Sequence, residues 1–208
     1  MKVKKLILGY FNVNCYVVSA GNFCFIIDPG ADFEAIESYL KSENLKPDFI
    51  LNTHGHYDHI GAVPETAGAY KIPFYIHKED EIIITDPDKN FSSVFTQNPL
   101  SLKTYNLIDE KALKLFDGLS IEIFNMPGHT PGSIIIKADK SLFTGDLLFR
   151  GGVGRTDLFG GNSAQMDRSL KKLRNFDPGL AVYPGHGANS ALGYELRNNY
   201  FLNNQEYL

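Results

Sequence analysis

An α+β fold, with two sheets covered by helices on both outer faces, is what the order of apolar patterns in this chain predicts. Strand-like runs come in two antiparallel groups, one near the start and one past the middle, and segments with helical spacing lie between and after them. Histidines and aspartates of one chemical kind follow the ends of these runs. With 208 residues and 43% hydrophobic content the chain can bury a real core, and one domain, residues 1–208, is the expected count.

Residues 3–8, 14–19 and 23–27 read as an opening meander that Asp28-Pro29-Gly30 ends. Phe33, Ile36, Tyr39 and Leu40 recur at helical spacing, with Asp32 as N-cap. Residues 49–51 form a short buried strand, and a helix over 62–69 holds Pro64 in its first turn. Residues 73–77 are another strand, followed by a short acidic helix through Ile84. Turn signals at Asp86-Pro87-Asp88 and Asn98-Pro99 make 85–106 a loop excursion over the site, with one helical turn. Residues 112–116, 119–124, 133–137 and 141–143 give the second meander. A flexible glycine-rich loop comes next, then a helix over 164–173, a last strand at 181–183 and a final helix over 192–202.

The candidate chemistry starts in Thr53-His54-Gly55-His56-Tyr57-Asp58-His59, which holds three of the six histidines in the chain. Two more sit in Met126-Pro127-Gly128-His129-Thr130-Pro131-Gly132 and Tyr183-Pro184-Gly185-His186-Gly187, and Asp146 ends Leu142-Phe143-Thr144-Gly145-Asp146. Imidazole and carboxylate are ligands for zinc, iron or manganese. In extended backbone His54 and His56 project to one side and can share an ion, while Asp58 and His59 point elsewhere and suit a second. Each pair needs distant partners, and His129, Asp146 and His186 supply three. A carboxylate has two oxygens, so one aspartate can serve both ions. Two ions so held lower the pKa of a water between them and polarise a substrate oxygen, which supports hydrolysis without a side-chain nucleophile. Two divalent ions are expected, zinc first, with iron or manganese as alternatives. A surface loop of ordinary histidines would leave His129, Asp146 and His186 unexplained.

Composition narrows the partners. Net charge is −4, no block of lysine or arginine stands out, and Lys2, Lys4 and Lys5 form only a small basic start, so a small-molecule substrate is expected and nucleic acid is not. No apolar run approaches the length of a membrane span, and the start lacks a signal-peptide pattern, so the cytoplasm is the expected location. Pairing across Gly21-Asn22 sets Cys15 opposite residue 27 or 28 and Cys24 opposite 18 or 19, so they are not expected to face each other and no disulfide is expected.

Other residues have a plain reading beside a functional one. His77 reads as structural. Arg155 and Asp157 read first as a mutual ion pair, and Arg155 second as a contact to a substrate anion. Asp28 reads as a turn residue ahead of a partner that orients a histidine. Phe149 and Tyr183 read as core, with substrate contact as a second role for each.

In order, the T-H-x-H-x-D-H loop, P-G-H-T-P-G, T-G-D and P-G-H-G resemble the metallo-β-lactamase superfamily over essentially the whole chain. Within it, Asp146-Leu147-Leu148-Phe149-Arg150, Gly154-Arg155-Thr156-Asp157 and Glu195 resemble single-domain glyoxalase II-like hydrolases. The resemblance implies a four-layer αβ/βα sandwich with metals on one edge. It implies His54, His56 and His129 on one ion, Asp58, His59 and His186 on the other, and Asp146 bridging, with Asp58 or Asp146 orienting the nucleophile. The implied reaction is thioester hydrolysis of the S-2-hydroxyacylglutathione type. A helical C-terminal domain that holds glutathione in two-domain glyoxalase II enzymes has no counterpart in the residues after His186. The alternatives are a mononuclear-iron persulfide dioxygenase, a lactonase or phosphodiesterase, and a fold merely stapled by metal.

Overall fold

The computed structural model of the chain describes residues 1–109, 113–116 and 119–203. It consists of two compact units, Met1–Ile108 and Asp109–Leu208, each with its own sheet and core.

In the first unit β1 (Lys2–Leu8), β2 (Val13–Ala20) and β3 (Phe23–Ile27) form the expected antiparallel meander. Its register sets Ser19 against Cys24 and Tyr16 against Ile27, so the two buried thiols do not face each other and are free. Burial pushes the Cys24 thiol up to about 12, so it is protonated and unreactive at neutral pH. From β3 the chain runs through α1 (Phe33–Ser42) to β4 (Phe49–Leu51). It continues through α2 (Tyr57–Ile60) and α3 (Val63–Tyr70) to β5 (Phe74–His77), then through α4 (Glu81–Ile84) and α5 (Ser92–Phe95) to β6 (Asn106–Ile108). The sheet order is β1-β2-β3-β4-β5-β6.

From β3 onward the strands pair in parallel, a direction that the sequence reading leaves unassigned for residues 49–51 and 73–77. The reason is the connections: a helical crossover returns the chain to the end it left, so the strands it joins run the same way. Asp32 differs from expectation. It stands at the N-cap of α1 in a left-handed conformation (φ 49°) without capping it, and its carboxylate instead accepts from Gly9 N at 2.7 Å.

In the second unit the described strands are β7 (Leu113–Phe116), β8 (Leu119–Asn125), β9 (Ile134–Ala138), β10 (Ser141–Gly145), β13 (Ala181–Pro184) and β14 (Ser190–Ala191). The sheet order is β14-β13-β10-β9-β8-β7, and β13 is parallel to β10. The expected start of this meander at Ala112 lies outside the described residues. A separate hairpin, β11 (Leu148–Phe149) with β12 (Gly152–Val153), occupies part of the glycine-rich stretch that the sequence reads as a flexible loop. Helix α6 (Ser163–Lys172) is capped by Asn162, whose side chain accepts from Gln165 N, and it buries Met166, Ser169 and Leu170. The final helix is broken: α7 (Leu192–Asn198) and α8 (Tyr200–Asn203) flank Asn199 in extended backbone. Asn199 leaves the helix because its amide bonds to Phe149 O, Gly152 O and Glu195, and its own oxygen accepts from Phe201 N.

Close backbone packing fixes the turn after β3. Ala62 N donates to Pro29 O at 3.0 Å, and a Cβ on Gly30 would lie 1.5 Å from the Asp58 carbonyl oxygen. At Gly21 (φ 59°) a Cβ would meet open space. Gly30→Ala is therefore expected to cost about 2–3 kcal/mol or more by forced backbone displacement. Gly21→Ala should cost only about 1 kcal/mol, for its left-handed backbone. Urea midpoints of the two variants against the parent check the order.

Candidate metal centre

The histidine-rich loop leaves the carboxyl end of β4, between the carboxyl ends of β3 and β5. Ligands commonly gather at such strand ends in parallel sheets, because the loops there carry side chains past the last backbone hydrogen bond. Asp28 follows β3, the residues from Thr53 to His59 follow β4, and Asp80 follows β5. His54, His56 and His59 are buried, at 1%, 4% and 0% exposure. The His54 ring lies 4.9 Å from that of His56 and 4.0 Å from that of His59, centroid to centroid. Asp58 and His59 lie in the single turn of α2, where Asp58 Oδ2 is 3.7 Å from His59 Nε2.

Asp28 organises this loop, which corrects its reading as a turn residue. Its Oδ1 accepts from Thr53 N at 2.7 Å, and its Oδ2 accepts from Thr53 Oγ1 at 2.6 Å and from His59 Nδ1 at 2.9 Å. A carboxylate can only accept, so His59 carries its proton on Nδ1 and presents Nε2 as a lone pair. Thr53 has one hydroxyl proton and gives it to Asp28, so the 3.2 Å contact between Thr53 Oγ1 and His54 Nδ1 has the histidine as donor. One carboxylate thereby fixes two imidazole tautomers, one directly and one through Thr53. The backbone between His54 and His56 is held by Asp80, whose Oδ2 accepts from Gly55 N at 2.9 Å, and Asn52 donates to His59 O at 2.7 Å.

The loop between α4 and β6 reaches back as expected. Tyr57 N donates to Asn90 O at 2.9 Å, and the Phe91 ring stands 5.4 Å from the His56 ring. Phe91 is left-handed (φ 69°), a strained state for a bulky residue. His77, buried beside this segment, accepts from Glu79 N at 3.3 Å and is structural, as its lack of a motif suggests.

In the second unit His129 follows β8, Asp146 follows β10 and His186 follows β13; these strands point the same way and deliver all three at one sheet edge. Asp146 Oδ2 lies 3.6 Å from His129 Nε2 and 3.7 Å from His186 Nε2. Two donors about 2.0–2.2 Å from one tetrahedral ion would lie roughly 3.3–3.6 Å apart, so one carboxylate oxygen between two imidazoles suits a bridging ligand. A bulge between Phe143 and Gly145 (φ 48°), with Gly185 N donating to Gly145 O at 2.8 Å, turns the chain so that Asp146 leaves the sheet. His129 Nδ1 donates to Arg155 O at 2.8 Å, a carbonyl that can only accept, so its Nε2 is again left with the lone pair.

A second buried carboxylate, Glu195 (0% exposed), ties these loops together. Its Oε2 accepts from Gly151 N and from Asn199 Nδ2, each at 2.9 Å, and its Oε1 bonds Ser190 Oγ. Gly151 begins the segment that supplies Arg155 O, and Ser190 follows the His186 turn. Among the residues read as substrate contacts, Phe149 stands with its ring 6.2 Å from that of His186, and Tyr183 stacks on Phe143 at 5.1 Å. Arg155 is exposed and clasps Asp157 with two bonds of 2.7 Å, holding that carboxyl at about 2. Asp80, Asn199 and Phe91 have no motif around them in the sequence and were legible only in three dimensions, while Glu195 entered the sequence reading only through the family resemblance, without a role.

The family model of the metallo-beta-lactamase superfamily matches residues 8–186. The chain belongs to this superfamily. It is 34% identical to the "Probable metallo-hydrolase YqgX" of Bacillus subtilis strain 168, over 98% of each chain. It is 32% identical to the "Hydroxyacylglutathione hydrolase GloC" of Haemophilus influenzae, over 99% of this chain and 100% of that one. Among solved structures, the BLEG-1 B3 metallo-beta-lactamase superposes with a TM-score of 0.90 at 36% identity, covering 97% and 99% of the two chains. TTHA1623 in a di-iron-bound form gives 0.87 at 35%, covering 96% and 100%. The fold is thus the metallo-β-lactamase fold, an α+β sandwich, and the histidine and aspartate set supports a dinuclear metal site.

Two replacements test the supporting carboxylates. Asp28→Asn puts an amide NH2 where three donors converge, and is expected to weaken metal retention about 10–100-fold in chelator competition while the thermal melt stays cooperative. Glu195→Ala should expose the Gly151–Arg155 backbone to hydrogen exchange and loosen metal binding. Glu195→Gln keeps an acceptor for Gly151 N, so most of the protection should return.

Proposed function

We propose that the chain is a binuclear metal-dependent hydrolase of thioesters, with residues 1–208 acting as one domain. His54, His56 and His129 would hold one ion, Asp58, His59 and His186 the other, and Asp146 both. Support comes from the Asp146 oxygen set between two imidazoles, from the three imidazoles held with Nε2 as acceptor, and from the Haemophilus relative's name as a hydroxyacylglutathione hydrolase. Zinc is the proposed metal, with iron the alternative that the di-iron relative suggests.

Two divalent ions on such ligands supply a lowered pKa for water and polarisation of the substrate carbonyl. The chain's own contribution is positional. Asp28 and Thr53 keep Nδ1 of His59 and His54 protonated, so neither ring can turn a proton toward the ion. Asp58 and Asp146, with side chains 22% and 11% exposed, orient the attacking water. Thiolate is a good leaving group, so no strong general acid is required. Phe149, Arg155 and Tyr183 are proposed to face the substrate, Phe149 through its position beside His186.

The likeness to a B3 metallo-beta-lactamase favours β-lactam opening as the second reading, because the same water and carbonyl chemistry would serve both. Metal analysis coupled to a turnover panel of thioester, β-lactam, lactone, phosphodiester and persulfide decides. Two metals per chain with thioester preference is expected, and His56→Ala or Asp58→Ala should abolish turnover with the melt preserved. Full activity in either variant would overturn the ligand assignment, and oxygen uptake with a persulfide would overturn the hydrolase reading.

A further inference from the structure

The geometry points to a binding site for a free apolar carboxylate, such as a fatty acid, on the first unit between α3 and residues 101–104. A cavity of about 490 Å³ lies there, within the roughly 300–1,000 Å³ of ligand pockets. None of its lining residues is a candidate metal ligand, so the site is separate from the metal centre and independent of the reaction proposed for it. Val63, Phe74 and Leu102 are its buried apolar lining, and all three belong to the core of the first unit. Bonds of their own fix these walls. Leu102 N donates to Ile84 O at 2.9 Å, Ser101 Oγ to Thr85 O at 2.7 Å, and Asn106 Nδ2 to Phe74 O at 3.1 Å.

On α3 two lining residues stand against their intrinsic preferences. Gly68 lies inside the helix, where glycine is a poor former, yet its φ is not left-handed and a Cβ there would meet nothing within 4 Å. Lys71 takes the left-handed C-cap (φ 54°), a conformation that favours glycine. The fold alone would gain from the opposite arrangement. As placed, the two residues keep one wall clear of side chain and bring a cation to the rim.

Charge decides the head group of the ligand. The lining carries two lysines, Lys71 and Lys103, and no aspartate or glutamate, in a chain of net charge −4. Among the described residues neither lysine forms an ion pair, and Lys103 Nζ donates to a neutral partner, Ser101 Oγ, at 2.8 Å. An ammonium is a compact point charge that a single carboxylate can meet without a fixed fork geometry. The apolar tail of that carboxylate takes Val63, Ile72 and Leu102 out of water. An apolar cation would be repelled, and a neutral apolar molecule would leave both lysines unmatched.

The test follows backbone amide signals by NMR in the full chain, with zinc and without it, against octanoate, octylammonium and acetate. Saturable shifts at Gly68, Lys71 and Leu102 are expected with octanoate alone, and equally in both forms, which separates this site from a carboxylate on metal. Lys71→Gly combined with Lys103→Gln should weaken octanoate binding about threefold or more, the scale of two exposed ion pairs. Gly68→Leu should abolish the shifts, because a leucine there lies back over Pro64 in the lining. Gly68→Leu and Lys71→Gly each relieve an unfavourable backbone choice, so their melts should stay cooperative at or above the parent temperature. The site is overturned by equal shifts with octylammonium, by unchanged binding in Gly68→Leu, or by octanoate shifts that are absent or confined to the histidine-rich loop.

Discussion

The buried carboxylate of Asp28 sets what the histidine-rich loop can do. A neutral imidazole is a metal ligand only through the nitrogen that lacks the proton, and in isolation either nitrogen can carry it. Asp28 removes the choice for His59 by accepting from Nδ1, and for His54 by consuming the one proton that Thr53 has to give. Removing a carboxylate from water is costly, and here three donors on two oxygens offset it. Asp28 also adopts a left-handed backbone (φ 52°), which costs about 1 kcal/mol or more. That strain is understandable: the chain turns sharply after β3 and sends the carboxylate back under the loop that follows β4.

The second unit repeats the device with different parts. Glu195 sits inside a helix rather than after a strand, yet it too is a buried carboxylate that accepts from more than one segment. Its partners are the start of the glycine-rich stretch and the residues after the His186 turn. The glycines there serve close packing rather than mobility: a Cβ on Gly154 would lie 1.8 Å from Asp146 O and 3.3 Å from His129 Nδ1. A loop read as flexible from its composition is therefore a fitted support for His129 and Asp146. Composition reports what backbone angles are allowed, and only the neighbours decide whether they are used.

The candidate ligands stand out in the sequence because they are histidines and aspartates in short motifs past the ends of apolar runs, with His54, His56, His129, Asp146 and His186 each beside glycine. The opening meander and its cysteine register were legible for the same reason, since alternation and a two-residue turn leave few choices. Asp28 was misjudged because Asp-Pro-Gly is itself a complete turn signal and satisfies that reading without further help. Asp80 lay hidden in an acidic stretch and Asn199 in a segment whose apolar spacing says only helix, where Glu195 was marked by the resemblance but its bonds were not. Strands β6 and β14, of three and two residues, are too short for a pattern. Parallel pairing depends on crossovers, which are a property of the path and not of any one segment.

The division between these two kinds of residue has a physical basis. Ligand-supporting groups must hold atoms to a few tenths of an ångström, so they are buried, multiply bonded and drawn from strand ends or helix interiors. Groups that face water need only present a surface, and several lie on turns: Tyr10 between β1 and β2, Val94 and Phe95 on a single helical turn. A turn pinned at its base can change its tip without disturbing the sheet beneath it. Exchange of Tyr10 or Phe95 therefore leaves Asp28 and its donors in place. The fold can in this way keep the supports of its histidine-rich loop while its exposed turns vary, because the two are attached to the first unit at different points.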